Sequence, residues 1–86
     1  MMIIDVLFFA AVRESLDCPQ LQLELGDEQQ TLLQIKQQLA QRGEAWQKVF
    51  NDRNLMQAVN QVMVNDDSLV INSGDTLAFF PPVTGG

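Results

Sequence analysis

Gln20-Leu21-Gln22-Leu23-Glu24-Leu25-Gly26-Asp27, followed by Thr31-Leu32-Leu33-Gln34-Ile35-Lys36-Gln37-Gln38-Leu39-Ala40, sets the fold class. The first part alternates strictly, with three Leu on one face and polar residues opposite. That pattern predicts a half-buried antiparallel strand, closed by Gly26-Asp27. In the second part Leu32, Ile35, Leu39 and Ala40 recur at helical spacing, with Gln and Lys between them. Thr31 and Gln34 fit a capping box, in which the Thr hydroxyl accepts from an early helix N–H and the Gln side chain reaches back. Gly43 stands where a left-handed cap is expected to end the helix. A second short helix is expected through Ala45, Trp46, Val49 and Phe50, before the polar break Asn51-Asp52-Arg53-Asn54. Trp46 and the apolar stripe over 32–39 read as core.

Upstream, Ile3-Ile4-Asp5-Val6-Leu7-Phe8-Phe9 is rich in β-branched and aromatic residues and reads as a strand. Its parity separates a core-facing set, Ile4, Val6 and Phe8, from an outward or partner-facing set, Ile3, Asp5, Leu7 and Phe9. Residues 10–16 are expected to make a turn or one helical loop. Downstream, residues 58–64 read as a strand interrupted near Asn60. Asn65-Asp66-Asp67 turns the chain, Leu69-Val70 reads as a brief strand, and Ser73-Gly74-Asp75 is a second turn. Thr76-Leu77-Ala78-Phe79-Phe80 is the last strand, stopped by Pro81-Pro82. Leu77 and Phe79 lie on one side of it; Thr76, Ala78 and Phe80 lie on the other. Strand, strand, helix and further strands make an α+β roll, a mixed sheet packed on one main helix. The expected organisation is a single domain over 1–80 and an extended, flexible tail over 81–86.

Composition removes several chemistries. The 86 residues hold no His and a single cysteine, Cys18. His-dependent nucleophile systems, an internal disulfide and a multi-thiolate metal site are therefore excluded within the chain. No Gly-rich phosphate loop occurs. Eleven acidic against five basic side chains leave a net charge of −6, which disfavours nucleic acid and anionic membrane surfaces as partners. No apolar run approaches the roughly 18 residues of a membrane span. The start lacks a signal-peptide pattern, so a cytoplasmic protein that binds no metal or cofactor is expected.

Pro81-Pro82-Val83-Thr84-Gly85-Gly86 carries the functional signal. Consecutive terminal glycines are expected in roughly 0.5% of chains at average Gly usage of about 7%. Pro-Pro stiffens the exit from the sheet, and six extended residues reach roughly 20 Å. Glycine has no side chain to clash in a narrow channel, and its terminal carboxylate is open to chemistry. Lacking an evident catalytic side chain, the chain points to its own terminus as the reactive group.

Val6-Leu7-Phe8-Phe9-Ala10-Ala11-Val12-Arg13-Glu14, Ala58-Val59-Asn60-Gln61, and above all Gly74-Asp75 through Phe79-Phe80-Pro81-Pro82-Val83-Thr84-Gly85-Gly86 closely resemble the small subunit of molybdopterin synthase. That resemblance implies a ubiquitin-like β-grasp fold and a sulfur carrier that is not an enzyme on its own. It further implies that an E1-like enzyme consumes ATP to adenylate Gly86, and that sulfur replaces AMP to leave a thiocarboxylate. The tail would enter the large synthase subunit and donate sulfur to cyclic pyranopterin monophosphate, building the molybdopterin dithiolene. Gly85 would supply clearance, and Pro81, Pro82, Val83 and Thr84 the reach. The implied assembly is a heterotetramer of two small and two large subunits, with the catalytic residues on the large one.

Phe9 and Phe80 share the parity face away from the core. If the first and last strands are neighbours, their rings form an apolar patch beside the tail that would dock the large subunit, with Arg13 a third candidate contact. Asp66, Asp67 and Asp75 would make the tail-bearing end anionic and steer it toward a basic partner. Cys18 has no activating neighbour in sequence and reads as incidental. Two other classes share parts of this pattern. A thiamine-type sulfur carrier or a ubiquitin-like modifier has the Gly-Gly chemistry, and a non-covalent β-grasp adapter would carry an inert tail.

Overall fold

The structure, a computed structural model, describes residues 1–82. Strand β1 (Met2–Phe8) is followed by helix α1 (Ala10–Leu16), strand β2 (Gln20–Leu25) and the short strand β3 (Gln30–Thr31). Helices α2 (Leu32–Ala40) and α3 (Glu44–Phe50) come next, then β4 (Met56–Val59), β5 (Val62–Met63), β6 (Val70–Ile71) and β7 (Thr76–Phe80). Five strands form one sheet in the order β2-β1-β7-β4-β5, and β3 pairs with β6 in a separate ribbon. The sheet is mixed: β1 runs antiparallel to β2 but parallel to β7, its partner from the far end of the chain.

Strand parity builds the core as the alternation predicts. Ile4, Val6 and Phe8 from β1, with Leu77 and Phe79 from β7, are at most 1% exposed. Val12 and Leu16 of α1 and Leu32, Ile35 and Leu39 of α2 cover them, joined by Val59 and Ile71. Full burial of one such side chain contributes about 1.5–3 kcal/mol, so this single interface dominates the stability. The main helix does not cover the sheet alone. Helices α1 and α3 are seven residues each, too short to persist without tertiary contacts. Phe8 meets Trp46 edge-on at 5.5 Å, and Phe50 meets Phe79 edge-on at 4.9 Å.

The predicted capping box forms: Thr31 Oγ1 accepts from the Gln34 N–H at 3.3 Å, and the Thr31 N–H donates to Gln34 Oε1 at 2.8 Å. The expected left-handed cap at Gly43 does not. Helix α2 stops at Ala40 and its cap, Gln41, is right-handed at φ −81°. The Gln41 and Arg42 N–H groups fold back onto the carbonyls of Gln38 and Leu39. Those tight bonds satisfy the last carbonyls, so no left-handed residue is needed. Gly43 is extended, at φ 163°, and serves as the N-cap of α3. The interruption near Asn60 is a tight hairpin turn, with Asn60 and Gln61 both left-handed at φ 52° and 72°. What reads as one strand over 58–64 is therefore two antiparallel strands, β4 and β5.

Candidate functional site

Among the described residues, helices α1, α2 and α3 pack on one face of the sheet and none lies on the opposite face. Register assigns its residues row by row. Gln22, Asp5 and Thr76 align across β2, β1 and β7, and the next row is Gln20, Leu7, Ala78, Ala58 and Met63 across all five strands. One step nearer the tail, Phe80 pairs with Met56. Phe9 follows Phe8, the residue beside Phe79, and its N–H donates to the Phe79 carbonyl at 3.2 Å. Phe9 and Phe80 are therefore lateral neighbours on this outer face. Phe9 is 46% exposed and Phe80 half-buried.

The outer face is graded: polar at the start of β7, apolar toward its end. Two alanines occupy the middle of the second row, which leaves a trough between Leu7 and Met63. A depression of about 410 Å³ lies there, lined by Leu7, Phe9, Asn60, Gln61, Thr76 and Ala78. Met63, opposite Ala58 in the same row, is 54% exposed. Exposed apolar surface of this kind makes the outer face the candidate docking face of the chain. Met56 and Met63 were not singled out by sequence reasoning, and Ala58 was named only within the segment 58–61, not as a surface residue. The two-residue turn at Asn60-Gln61, once recognised, supplies the β5 register that places Met63 there.

The tail leaves from the apolar end. Pro81 is half-buried and lines a narrow cleft of about 130 Å³ with Ala11, Val12, Ser15, Val49, Asp52 and Leu55. Pro82 is exposed. Val83, Thr84, Gly85 and Gly86, the rest of the expected tail and its reactive terminus, lie outside the described residues. Arg13 is exposed in the last turn of α1, one helical turn after Phe9, and forms no ion pair among the described residues.

Asp66, Asp67 and Asp75 are not gathered into one patch at the tail. Asp75 stands at the start of β7, at the opposite end from the tail, and accepts from the Asn60 side chain at 3.0 Å. Asp67 is held by Lys36 at 3.3 Å and by Gln57 Nε2 at 2.9 Å. Asp66 closes its own turn: the Ser68 hydroxyl and then the Ser68 N–H donate to it and hold its carboxyl below the ordinary value of 3.8. Asp67 is thus tied to α2 and β4, Asp66 to its own turn and Asp75 to the β4–β5 turn, so the three are held at separate places. Cys18 is half-buried, its thiol 3.3 Å from the Gln20 carbonyl. Among the described residues no group of three or more His, Cys, Asp or Glu could hold a metal ion, and no helix is long and apolar enough to cross a membrane.

Comparison with known proteins adds to this geometry. The family model described as ThiS family matches residues 6–86. The chain is 42% identical over 83 residues to a Haemophilus influenzae protein named molybdopterin synthase sulfur carrier subunit, covering 96% of this chain and 99% of that one. An Escherichia coli protein of the same name is 40% identical over the same coverage. Among solved structures, SAMP1 from Haloferax volcanii superposes with a TM-score of 0.80 at 23% identity, over 98% of this chain and 99% of that one. A putative molybdopterin converting factor subunit 1 from Pyrococcus furiosus gives 0.81 at 21% identity, over 96% and 100%. Subunit 1 or 2 of molybdopterin-converting factor in a Helicobacter pylori protein–protein complex gives 0.72 at 21%, over 99% and 100%. The fold is the ubiquitin-like β-grasp.

Proposed function

This chain belongs to the ThiS family, the family of its molybdopterin synthase sulfur carrier relatives, and from that premise we propose that it is itself the sulfur-donating small subunit of a molybdopterin synthase. The observation that carries the reading is identity of 40–42% to carriers of that name along nearly their whole length. The outer face supports it, because its apolar end lies where the tail begins.

The terminal carboxylate of Gly86 is the reacting group. As a carboxylate it is a poor electrophile. In the adenylation step a carboxylate oxygen attacks the α-phosphorus of ATP on an E1-like enzyme, and pyrophosphate leaves. Sulfur delivered at the hydrosulfide level then attacks the acyl carbon and AMP departs, leaving the terminal thiocarboxylate. Two such donations to cyclic pyranopterin monophosphate, one sulfur from each charged carrier, build the dithiolene, and water returns each spent terminus to the carboxylate. This chain contributes the carrier, the reach and the docking face; the acid–base groups reside on the large subunit. Pro81 lines a cleft with residues of α1 and α3, and the five residues that follow would span roughly 17 Å if fully extended. Phe9, Phe80 and Arg13 are the contacts assigned to the large subunit, in a cytoplasmic complex of two small and two large subunits.

Intact mass measured after incubation with ATP, the activating enzyme and a sulfur source tests this reading. Gain of the oxygen-to-sulfur difference at Gly86, abolished by one added C-terminal Gly, is expected. An unmodified terminus, under conditions that convert a known carrier, would overturn it. A terminus joined instead to a lysine would mark a modifier.

A further inference from the structure

The outer face depends at one corner on a side-chain pair whose purpose docking alone does not explain. Asn60 forms the β4–β5 turn with Gln61, and its side chain bonds across to β7. Asn60 Nδ2 donates to Asp75 Oδ1 at 3.0 Å, and the Thr76 N–H donates to Asn60 Oδ1 at 3.0 Å. The Asn60 N–H donates to the Thr76 carbonyl at 2.8 Å. The other Asp75 oxygen accepts from the Asn72 N–H at 2.8 Å, and the Asp75 carbonyl accepts from the Asp5 N–H at 3.1 Å. One amide thus ties the hairpin turn to the start of β7 and, through Asp75, to β1.

The consequence appears further along the hairpin. Strand β5 is two residues long and lies at the sheet edge, too short for its own ladder to hold it rigidly. Yet it presents Met63, which closes the apolar row of Leu7, Ala78 and Ala58. Asn60 and Gln61 also line the trough. A face that meets its partner preformed avoids the ordering cost of binding.

Resting on the docking reading above, we infer that the Asn60–Asp75 pair is a positioning device: it sets the angle of the β4–β5 hairpin so that Gln61 and Met63 complete the surface that receives the large subunit. Asn60 acts through those neighbours and is a positioning residue. The bonding pattern makes a sharp demand, because the two side chains are exchangeable. In Asn60→Asp alone, two carboxylates face each other where an amide donated. In the double variant N60D/D75N, the amide at 75 donates to the carboxylate at 60. That carboxylate still accepts from Thr76, the new amide oxygen accepts from Asn72, and the net charge is that of the starting chain. Asn60→Gly removes the amide without changing charge and suits the left-handed turn.

The test is calorimetric titration of the full chain into purified large subunit, with hydrogen exchange on the free chain. N60D and N60G are expected to weaken binding about tenfold, the scale of losing a preformed segment of the face. Both should speed exchange at the β5 amides while the β1 amides stay protected. N60D/D75N should return affinity and protection together. Unchanged affinity in N60G, or a double variant as weak as N60D, would overturn the inference. Failure of the unmutated chain to bind the large subunit would instead overturn the docking reading, and the exchange data would still decide whether the pair holds the hairpin.

Discussion

Ala10, between β1 and α1, has φ 52°, a left-handed conformation that costs an L-residue roughly 1–2 kcal/mol. Replacing it by Gly, ordinarily unfavourable at a helix start, is expected to stabilise the fold by about 0.5–1 kcal/mol in chemical denaturation. The reverse holds at Gly74, whose φ is +90°: Gly74→Ala should cost about 1–2 kcal/mol although a Cβ there would touch nothing. Gly43→Ala is the contrast. Its backbone is extended and the added Cβ would meet Trp46 Cδ1 at 3.4 Å, so a change within about 0.5 kcal/mol is expected. Asp66 supplies a pH effect. Its carboxyl is lowered by the Ser68 hydroxyl and N–H, so its stabilising contribution is present above the unfolded-state pKa and lost as pH falls through the folded-state value. In Ser68→Ala the Asp66 midpoint, followed by NMR titration, should move up toward 3.8.

Among the elements, α2 is the one whose start is written locally. Its capping box involves only Thr31 and Gln34, and Thr31→Ala should cost about 1 kcal/mol by thermal or chemical unfolding. Helices α1 and α3 are made by packing instead. Trp46 is the chain's single tryptophan, stacked by Arg42 at 4.8 Å and edge-on to Phe8, so its fluorescence reports α3 docking directly. Phe8→Ala, which empties the space beneath that ring, should destabilise by about 3–5 kcal/mol.

For the whole molecule, the decisive property is that one sheet has two unlike faces. Phe8 and Phe79 are at most 1% exposed beneath the helices; their chain neighbours Phe9 and Phe80 lie on the uncovered side. Phe9→Ser is expected to change stability by less than about 1 kcal/mol, and Phe80→Ser to leave the fold intact. Both should weaken the complex with the large subunit, read by titration calorimetry. Unfolding of Phe80→Ser, or unchanged affinity, would remove Phe80 from the interface. With a net charge of −6, association with a basic partner surface should slow as ionic strength rises.

Alternation and spacing over a few residues determined which side chains of β1, β2, α2 and β7 are buried, because the periods of strand and helix are properties of the local backbone. The Thr31–Gln34 cap was legible for the same reason, and the Gly-Gly ending was legible as composition. What the chain's ends do together was not. Parallel pairing of β1 with β7 joins residues about seventy positions apart, and no local pattern encodes that register. That pairing places Phe9 beside Phe80 and Leu7 beside Ala78, and the β4–β7 and β4–β5 pairings extend the row to Ala58 and Met63. Gly43 was misread because a glycine after a helix fits two caps locally, and only the position of α3 selects between them. Asp75 belongs to Asn60 rather than to the tail for a related reason: a carboxylate's partner is set by which strands lie side by side, and that is decided by packing the core.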